Sequence, residues 1–158
     1  MLWQWIKSLF GNAKAPAAPV GDHMKLGEWG EQVAAEFLRK QGHEILERRF
    51  RVPYLKGEID LITRDSRDHN CIVFVEVKTR RSKDFIPAEA AVHSGKRLAI
   101  TRVARAYLRR RRYPARRRYD VISVYPNADP GGEPVVEHFP HAFHERPPRR
   151  YRNRRPRY

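Results

Sequence analysis

Residues 72–79 read IVFVEVKT, and this stretch decides the fold. Its first four residues are apolar without alternation, which is typical of a central strand that is covered on both faces. Since the side chains of a strand point alternately to its two faces, Glu76 and Lys78 lie on one face, opposite a row of valines. Charge is costly in a central strand, so this pair needs a chemical reason.

The sequence on either side of this strand predicts an α/β domain with a mixed sheet. The polar residues 64–70 link it to a preceding strand over 58–63, and this short link predicts an antiparallel hairpin. The remaining predicted elements are helices over 25–41 and 94–111, and strands over 44–51, 119–125 and 135–139. This order of elements favours helices packed on a central sheet.

The length of 158 residues corresponds to about one domain. The expected divisions are an N-terminal apolar segment and Ala/Pro linker over 1–23, a folded domain over 24–140, and an Arg-rich tail over 141–158 that is disordered when free. The apolar stripe in residues 2–10 fits either a contact with a membrane surface or partner, or an extension without order. Met24 stands where the domain begins and is an alternative to Met1 as the start of translation.

Composition excludes several classes of protein. No apolar run approaches the ~18 residues of a membrane-spanning helix, and we expect a cytoplasmic protein. The single cysteine, Cys71, rules out an intrachain disulfide and a multi-cysteine zinc site. A hydrophobic content of 41% separates the chain from a disordered polycation.

The basic charge is concentrated in two segments. The formal net charge is +15; residues 96–118 carry +11 and residues 145–158 carry +6, so the other 121 residues have a net charge of −2. A charge run can be a solvated face, but two uncompensated runs favour a polyanionic partner, with DNA as the expected one. The candidate nucleic-acid-binding residues are Lys96, Arg97, Arg109, Arg110, Arg111, Arg112, Arg116, Arg117 and Arg118. For Lys96, a capping role in its helix explains the residue equally well.

A second acidic residue lies in the strand before Glu76. Regular alternation places Ile59 and Leu61 on one face and Asp60 on the other, and pairing of the two strands brings Asp60 towards Glu76. Two carboxylates beside a lysine suit Mg²⁺ or Mn²⁺, which activates water for phosphoryl chemistry. A structural ion pair of Lys78 with either carboxylate explains the same residues, and the spacing alone leaves both explanations open.

Five blocks along the chain resemble the YraN family of small bacterial proteins. The blocks are Gly27-x-x-Gly30-Glu31-x-x-Ala34, GEIDLI at 57–62, FVEVKTR at 74–80, Lys96, and Tyr119-Asp120-Val121. They span roughly residues 25–125, and as an ordered set they are specific. The Asp60, Glu76 and Lys78 pattern is also similar to the D…(D/E)xK core of the PD-(D/E)XK nuclease superfamily, which includes Holliday-junction resolvases.

The resemblance implies a three-layer α/β/α, restriction-endonuclease-like fold with a central mixed sheet. It implies a metal site formed by Asp60, Glu76 and the Val77 carbonyl, with Lys78 as the catalytic lysine. It matches Glu31 to the acidic residue that often completes such a site, as a ligand and a catalytic residue. Helical spacing places Glu31 at the edge of the apolar stripe of its helix, which agrees with this role.

Two functions of different kinds explain the centre of the chain, and a third, a membrane-surface or ribonucleoprotein adaptor, explains only its two ends. The first is a metal-dependent endonuclease that hydrolyses DNA phosphodiester bonds, with branched or single-stranded DNA as candidate substrates. The second is a catalytically weak nuclease-fold module that binds DNA or RNA within a repair, recombination or uptake assembly. In either function a homodimer is possible. Four tyrosines near the arginines are candidates for stacking on unpaired bases: Tyr113, Tyr119, Tyr151 and Tyr158.

Overall fold

The structure of the protein is a computed structural model. It describes residues 17–19, 21–81, 92–111, 116–127, 129 and 132–145. The predictions for residues 2–10, for Arg112 and for the tail beyond Glu145 lie outside the described residues and stay predictions.

The described part of the chain forms one five-stranded sheet and two helices. The helices are α1 (His23–Lys40) and α2 (Ser94–Arg111), and the strands are β1 (His43–Arg51), β2 (Glu58–Asp65), β3 (Cys71–Thr79), β4 (Arg117–Tyr125) and β5 (Val135–Phe143). The strand order is β1-β2-β3-β4-β5. Because β3 and β4 are parallel and the other neighbouring pairs are antiparallel, the sheet is mixed, and the predicted hairpin of β2 and β3 is confirmed.

The two helices cover opposite faces of the sheet. The apolar side of α1 packs on Val73 and Val75 of β3, whereas the apolar side of α2 packs on Ile72 and Phe74 of the same strand. β3 is therefore buried from both sides, which is the reason for its uninterrupted apolar run. This arrangement confirms the predicted three-layer α/β/α fold with a central mixed sheet.

β2 departs from regular alternation at Asp60. Ile59 and Ile62 pack in the core under α2, while Leu61 packs in the core under α1, so the prediction that Ile59 and Leu61 share a face is wrong. The ladder between β2 and β3 begins where Leu61 pairs with Val75, and the residues of β2 before this point pair with β1 alone. The change of face therefore lies at the point where β2 leaves β3.

Both ends of the folded domain extend past the predicted bounds. α1 begins at His23, and the side chain of Asp22 caps it by accepting hydrogen bonds from two backbone N–H groups of its first turn, at 2.9 and 3.2 Å. β5 continues past the predicted boundary at residue 140, because Phe143 pairs with Tyr119 and closes the core under α2. Residues 141–143 therefore belong to the sheet and not to the tail.

Gly30 sets the distance between α1 and the end of β3. A Cβ atom at Gly30 would lie 1.8 Å from Oγ1 of Thr79, so the helix can approach the strand this closely only without a side chain there. At Gly27, one turn earlier, a Cβ atom would meet nothing within 4 Å. Close packing therefore requires a glycine at position 30 of the first motif, but it does not require one at position 27.

We expect Gly30→Ala to lower the free energy of unfolding by about 1–3 kcal/mol, since the added methyl group forces α1 away from β3. Gly27→Ala is the matched control and raises it by up to about 1 kcal/mol, because alanine favours the helix. Urea unfolding followed by circular dichroism measures both values. Equal stability of the two variants would show that the close approach is not a constraint.

A buried network of charged residues occupies the opposite end of the sheet. Nη1 of Arg118 is 3.0 Å from Asp65, and its Nε is 3.0 Å from Oδ2 of Asp120, which also lies 2.9 Å from Nε2 of His138. Burial alone would raise the pKa of Asp120, but the hydrogen bond from His138 and the charge of Arg118 outweigh it, so the pKa is lowered. This placement corrects the prediction that Arg118 contacts nucleic acid, because its guanidinium is buried and held by carboxylates.

His43 joins this network as a buried neutral side chain. Its Nδ1 lies 2.9 Å from Oγ1 of Thr63, and its Nε2 lies 3.4 Å from Oδ2 of Asp65. Burial lowers the pKa of His43 from 6.5 to about 4, and the charge of Asp65 opposes this only in part. The unfolded chain therefore takes up a proton between pH 6.5 and 4 that the folded chain does not, and stability falls as the pH falls through this window.

We expect the free energy of unfolding of the wild-type protein to fall by about 1–2 kcal/mol more, between pH 7 and pH 5, than that of His43→Gln. Comparison of the two proteins cancels the titration of the other groups. His144→Gln, which changes an exposed histidine, should follow the wild type. Chemical unfolding at the two pH values provides the measurement, and parallel behaviour of wild type and His43→Gln would refute it.

Candidate functional site

A cavity of about 280 Å³ opens at the end of β3, where α1, β2, β3 and α2 meet. Most of the residues singled out from the sequence line it: Glu31, Glu58, Asp60, Glu76, Val77, Lys78 and Lys96. The structure therefore brings all the predicted metal and catalytic residues into one place.

Asp60 is held in this cavity by β3. Its Oδ2 accepts a hydrogen bond from Val77 N at 2.7 Å. Followed along β3, the ladder with β2 ends at Val75, which pairs with Leu61. The carboxylate of Asp60 therefore takes the place of the backbone partner that Val77 would otherwise have. This substitution occurs where β2 leaves its ladder with β3.

Asp60 and Glu76 form a buried pair of carboxylates, with 7% and 2% of their surfaces exposed. Burial raises the pKa of Asp60 to about 7, and the negative charge of Glu76 adds to the increase, while the hydrogen bond from Val77 N opposes it. Two carboxylates that share a buried place favour either a bound proton or a bound cation.

Glu76 is incompletely paired although two lysines reach it. Nζ of Lys78 donates a hydrogen bond to Oε1 at 2.8 Å. Nζ of Lys96 lies 3.1 Å from Oε2, but without the geometry of a hydrogen bond, and among the described residues this buried oxygen has no hydrogen-bond partner. A buried carboxylate oxygen in this state is costly unless a ligand satisfies it.

Glu31 enters the cavity from α1, at the edge of the helix that the close packing of Gly30 brings near β3. Its side chain is 17% exposed, and Nε of Arg49 lies 3.6 Å from its Oε2. Burial raises the pKa of Glu31, and the charge of Arg49 offsets part of this increase. Glu31 is thus a third acidic group on the same cavity.

The donor chemistry of the cavity fits a hard divalent cation. It offers carboxylate oxygens, one of which lacks a hydrogen-bond partner among the described residues, whereas the lining includes one imidazole, His23, and no thiol. Within the described ranges, however, no three His, Cys, Asp or Glu side chains are grouped closely enough to hold a metal ion. In this conformation the ammonium groups of Lys78 and Lys96 supply the positive charge next to Glu76.

The model of a known family matches residues 30–124, more than half of the chain, under the description "Uncharacterised protein family UPF0102". The chain belongs to the UPF0102 family. This confirms the resemblance to the YraN family. A UPF0102 protein of Syntrophotalea carbinolica is 44% identical over 121 residues, covering 76% of the chain and 92% of that protein. Another, from Nocardia farcinica, is 44% identical over 128 residues and covers 80% and 94%.

A solved structure gives a much weaker match to this UPF0102 chain. It is SfsA of Pyrococcus furiosus in complex with Ca²⁺, with a TM-score of 0.36 and 11% sequence identity. The match covers 71% of the chain and 63% of that protein. Similarity at this level says nothing about the site.

The predicted nucleic-acid-binding residues of α2 lie at its two ends. At the first end Lys96 lines the cavity, and Arg97 donates from Nε to the carbonyl of Val92 at 2.6 Å, with its guanidinium 5.7 Å from the centre of the Phe143 ring. Three exposed residues stand at the other end: Arg109, Arg110 and Arg111.

The predicted basic residues at the start of β4 are paired with acids. Nη1 of Arg116 lies 3.0 Å from Asp68, and Nε of Arg117 lies 2.8 Å from Glu145. Neither residue lines the cavity at β3. These two residues are less suited to phosphate contacts than Arg109 and Arg110, because an acid already holds each of them, as Glu47 holds Arg111.

Sequence reasoning missed Arg49 near the site and left the role of Glu58 open. Arg49 is in the left-handed region, with a φ of 47°, and reaches both Glu28, at 2.9 Å, and Glu31. Glu58, to which no settled role was given, lines the cavity and accepts a hydrogen bond from Nε of Arg51 at 2.6 Å. A positive φ is uncommon for residues other than glycine, so an arginine in the sequence does not indicate this conformation.

We expect Asp60→Asn to raise the free energy of unfolding at pH 8 in EDTA by about 1–3 kcal/mol, because it removes a buried charge next to Glu76. Since the pKa of Asp60 is raised, the folded protein binds its proton more tightly than the unfolded chain, so the wild type recovers stability as the pH falls from 7 towards 3.8. The advantage of Asp60→Asn should therefore shrink at pH 5.

The control for this measurement is Glu58→Gln, which removes a carboxylate that Arg51 already neutralises in the same cavity. It should not be more stable than the wild type at pH 8. Thermal and urea unfolding of the three proteins measure the effect, and a loss of stability in Asp60→Asn would contradict the explanation.

Proposed function

We propose that the protein is a metal-dependent endonuclease that hydrolyses phosphodiester bonds in DNA. The observation that carries the proposal is the buried pair of Asp60 and Glu76, with one carboxylate oxygen of Glu76 left without a hydrogen-bond partner among the described residues. A fold gains no stability from such a pair, because each buried charge loses its hydration and repels the other. A site that binds a cation and a phosphate explains why it is present.

The proposed ligands are oxygen atoms of Asp60, Glu76 and Glu31 and the carbonyl of Val77, and the proposed ion is Mg²⁺ or Mn²⁺. The ion, when bound, polarises the phosphate and lowers the pKa of a coordinated water. The hydrogen bond from Val77 N keeps one oxygen of Asp60 fixed and leaves the other available as a ligand. Arg49 limits the charge that accumulates at Glu31.

Two lysines supply the positive charge that the reaction needs. Attack of water on phosphorus forms one P–O bond and breaks the bond to the leaving sugar oxygen, with negative charge growing on the phosphate oxygens. Lys78 lies 2.8 Å from Glu76, in position to orient the water or to offset that charge. Lys96 lines the same cavity from α2 and is in position to bind the phosphate.

Binding to DNA would depend mainly on the phosphate backbone. The exposed arginines at the end of α2 and the predicted Arg-rich tail provide positive charge, and the chain contains nothing that resembles a base-reading motif. Affinity should therefore fall steeply with salt and depend little on sequence. A cytoplasmic location and a homodimer stay predictions, and no helix within the described ranges is long and apolar enough to cross a membrane.

A cleavage assay tests the proposal. The full chain is incubated with labelled single-stranded, duplex, flap and four-way-junction DNA in Mg²⁺, Mn²⁺ or EDTA. We expect cleavage only with metal, and we expect Lys78→Ala and Asp60→Asn each to reduce its rate by at least about 100-fold, the size of effect seen when one charge-stabilising group is removed.

Lys40→Ala is the matched control, because it removes an exposed lysine at the end of α1, outside the cavity. It should cleave as the wild type does. Cleavage that persists in EDTA, or that Lys78→Ala retains in full, would show that a contaminating nuclease or another site is responsible.

A second candidate function is a nuclease-fold module that binds DNA or RNA with little or no catalysis. It is favoured by the ion pairs of Lys78 and Lys96 with Glu76, which already neutralise this carboxylate, and by the absence of a three-ligand group among the described residues. Salt-sensitive binding without cleavage of any substrate, in all three metal conditions, would support it over the endonuclease.

A further inference from the structure

Two more cavities continue the candidate site along the protein surface. The second, of about 470 Å³, shares Glu58 and Lys96 with the first. The third, of about 400 Å³, shares Arg51, Val52 and Pro53 with the second. Since each cavity shares lining residues with the next, the three form one groove, which we call the β1–α2 groove.

The β1–α2 groove is basic over most of its length. It begins at Lys96, next to the carboxylates, and ends at Arg109 and Arg110 on α2. Neither Arg109 nor Arg110 pairs with an acid among the described residues, and Arg51, midway, neutralises Glu58. Its charge is therefore complementary to a phosphate backbone.

Tyr54 projects from the wall of this groove. It is 77% exposed and is the one exposed Phe, Tyr or Trp in the described part of the chain. By contrast, Tyr119, which the sequence suggested as a stacking residue, is buried in the core, and the other three suggested tyrosines lie outside the described residues. A single exposed aromatic residue needs no explanation by itself, but Tyr54 lines the same cavity as Arg109 and Arg110.

The turn that carries Tyr54 is fixed at both sides. Val52 is buried, Leu55 packs against the core under α2, and Leu55 N donates a hydrogen bond to the Val52 carbonyl at 2.9 Å. The turn then meets α2 at Gly57, where a Cβ atom would lie 2.9 Å from the Cβ of Ala99. Tyr54 is thus an aromatic side chain presented by an anchored turn between two basic ends.

We propose that the β1–α2 groove binds a single strand of DNA and that Tyr54 stacks on one of its unpaired bases. A duplex hides the faces of its bases, whereas a single strand offers each of them to an aromatic ring. Lys96, Arg109 and Arg110 contact the phosphates on either side of this base. The inference rests on the proposed function, because the strand leads from Tyr54 to the cavity of Asp60 and Glu76.

Fluorescence anisotropy of the full chain in EDTA tests this inference without cleavage. The probes are a labelled thymine oligonucleotide, a strand of the same length with abasic nucleotides, and a duplex of the same length. The salt concentration is raised until the contribution of the phosphates is weak, so that the stacking contribution is visible.

We expect Tyr54→Ala and Tyr54→Leu to weaken binding of the thymine strand at least about five-fold, the lower end expected for one lost stack, and to leave the abasic strand and the duplex unchanged. Tyr54→Phe and Tyr54→Trp should bind as the wild type does, because they keep a ring. Leu98→Ala removes an exposed apolar side chain of α2 outside the three cavities and should change nothing.

An equal loss on all three probes, or no loss with the thymine strand, would overturn the inference. So would wild-type binding that does not distinguish the thymine strand from the abasic strand. These results are separate from failure of the proposed function, which is absence of metal-dependent cleavage. If the wild type cleaves and Tyr54→Ala binds normally, the assignment of Tyr54 alone is wrong.

Discussion

The hydrogen bond from Val77 N to Asp60 is the interaction on which the site depends. At this point β2 leaves the ladder with β3, and a side chain replaces a backbone acceptor. The replacement satisfies a buried N–H group. It also places the carboxylate of Asp60 close enough to Glu76 for the charge of Glu76 to raise the pKa of Asp60. If β2 continued its regular pairing with β3, a backbone carbonyl would accept the hydrogen bond from Val77 N. The carboxylate of Asp60 would then not be needed at this position.

Much of this arrangement could be predicted because it follows from local rules. The apolar run of β3 and the short link before it determine a buried hairpin, and a hairpin brings residues of neighbouring strands to the same end of the sheet. The helix predicted over 94–111 has the same bounds as α2, since its apolar face follows helical spacing and Pro114 comes shortly after its last residue in the sequence. Glu31 was found by its motif, and the contact of Gly30 with Thr79 gives that motif a physical reason.

The features that were missed depend on contacts between distant segments. Counting charges made Arg118 a surface residue, because no count shows that Asp65 of β2 meets it and that Asp120, two residues along the same strand, also pairs with it. Alternation placed Ile59 and Leu61 on one face, but the two residues pack in different halves of the core, at the point where β2 leaves its ladder with β3. The length of β5 was underestimated because its last residues are fixed by pairing with β4 and not by their own pattern.

The described part of the sheet contains two buried groups of charges, and the pKa values of their carboxylates are shifted in opposite directions. At one end, Arg118 and His138 surround Asp120, whose pKa is lowered, so that carboxylate is stabilised by its neighbours. At the other end, the pKa of Asp60 is raised and an oxygen of Glu76 lacks a partner among the described residues. The same chain thus neutralises its buried carboxylates fully where they support the fold. Next to the open cavity two ammonium groups lie near Glu76, yet its Oε2 lacks a hydrogen-bond partner among the described residues, and a ligand would satisfy that oxygen.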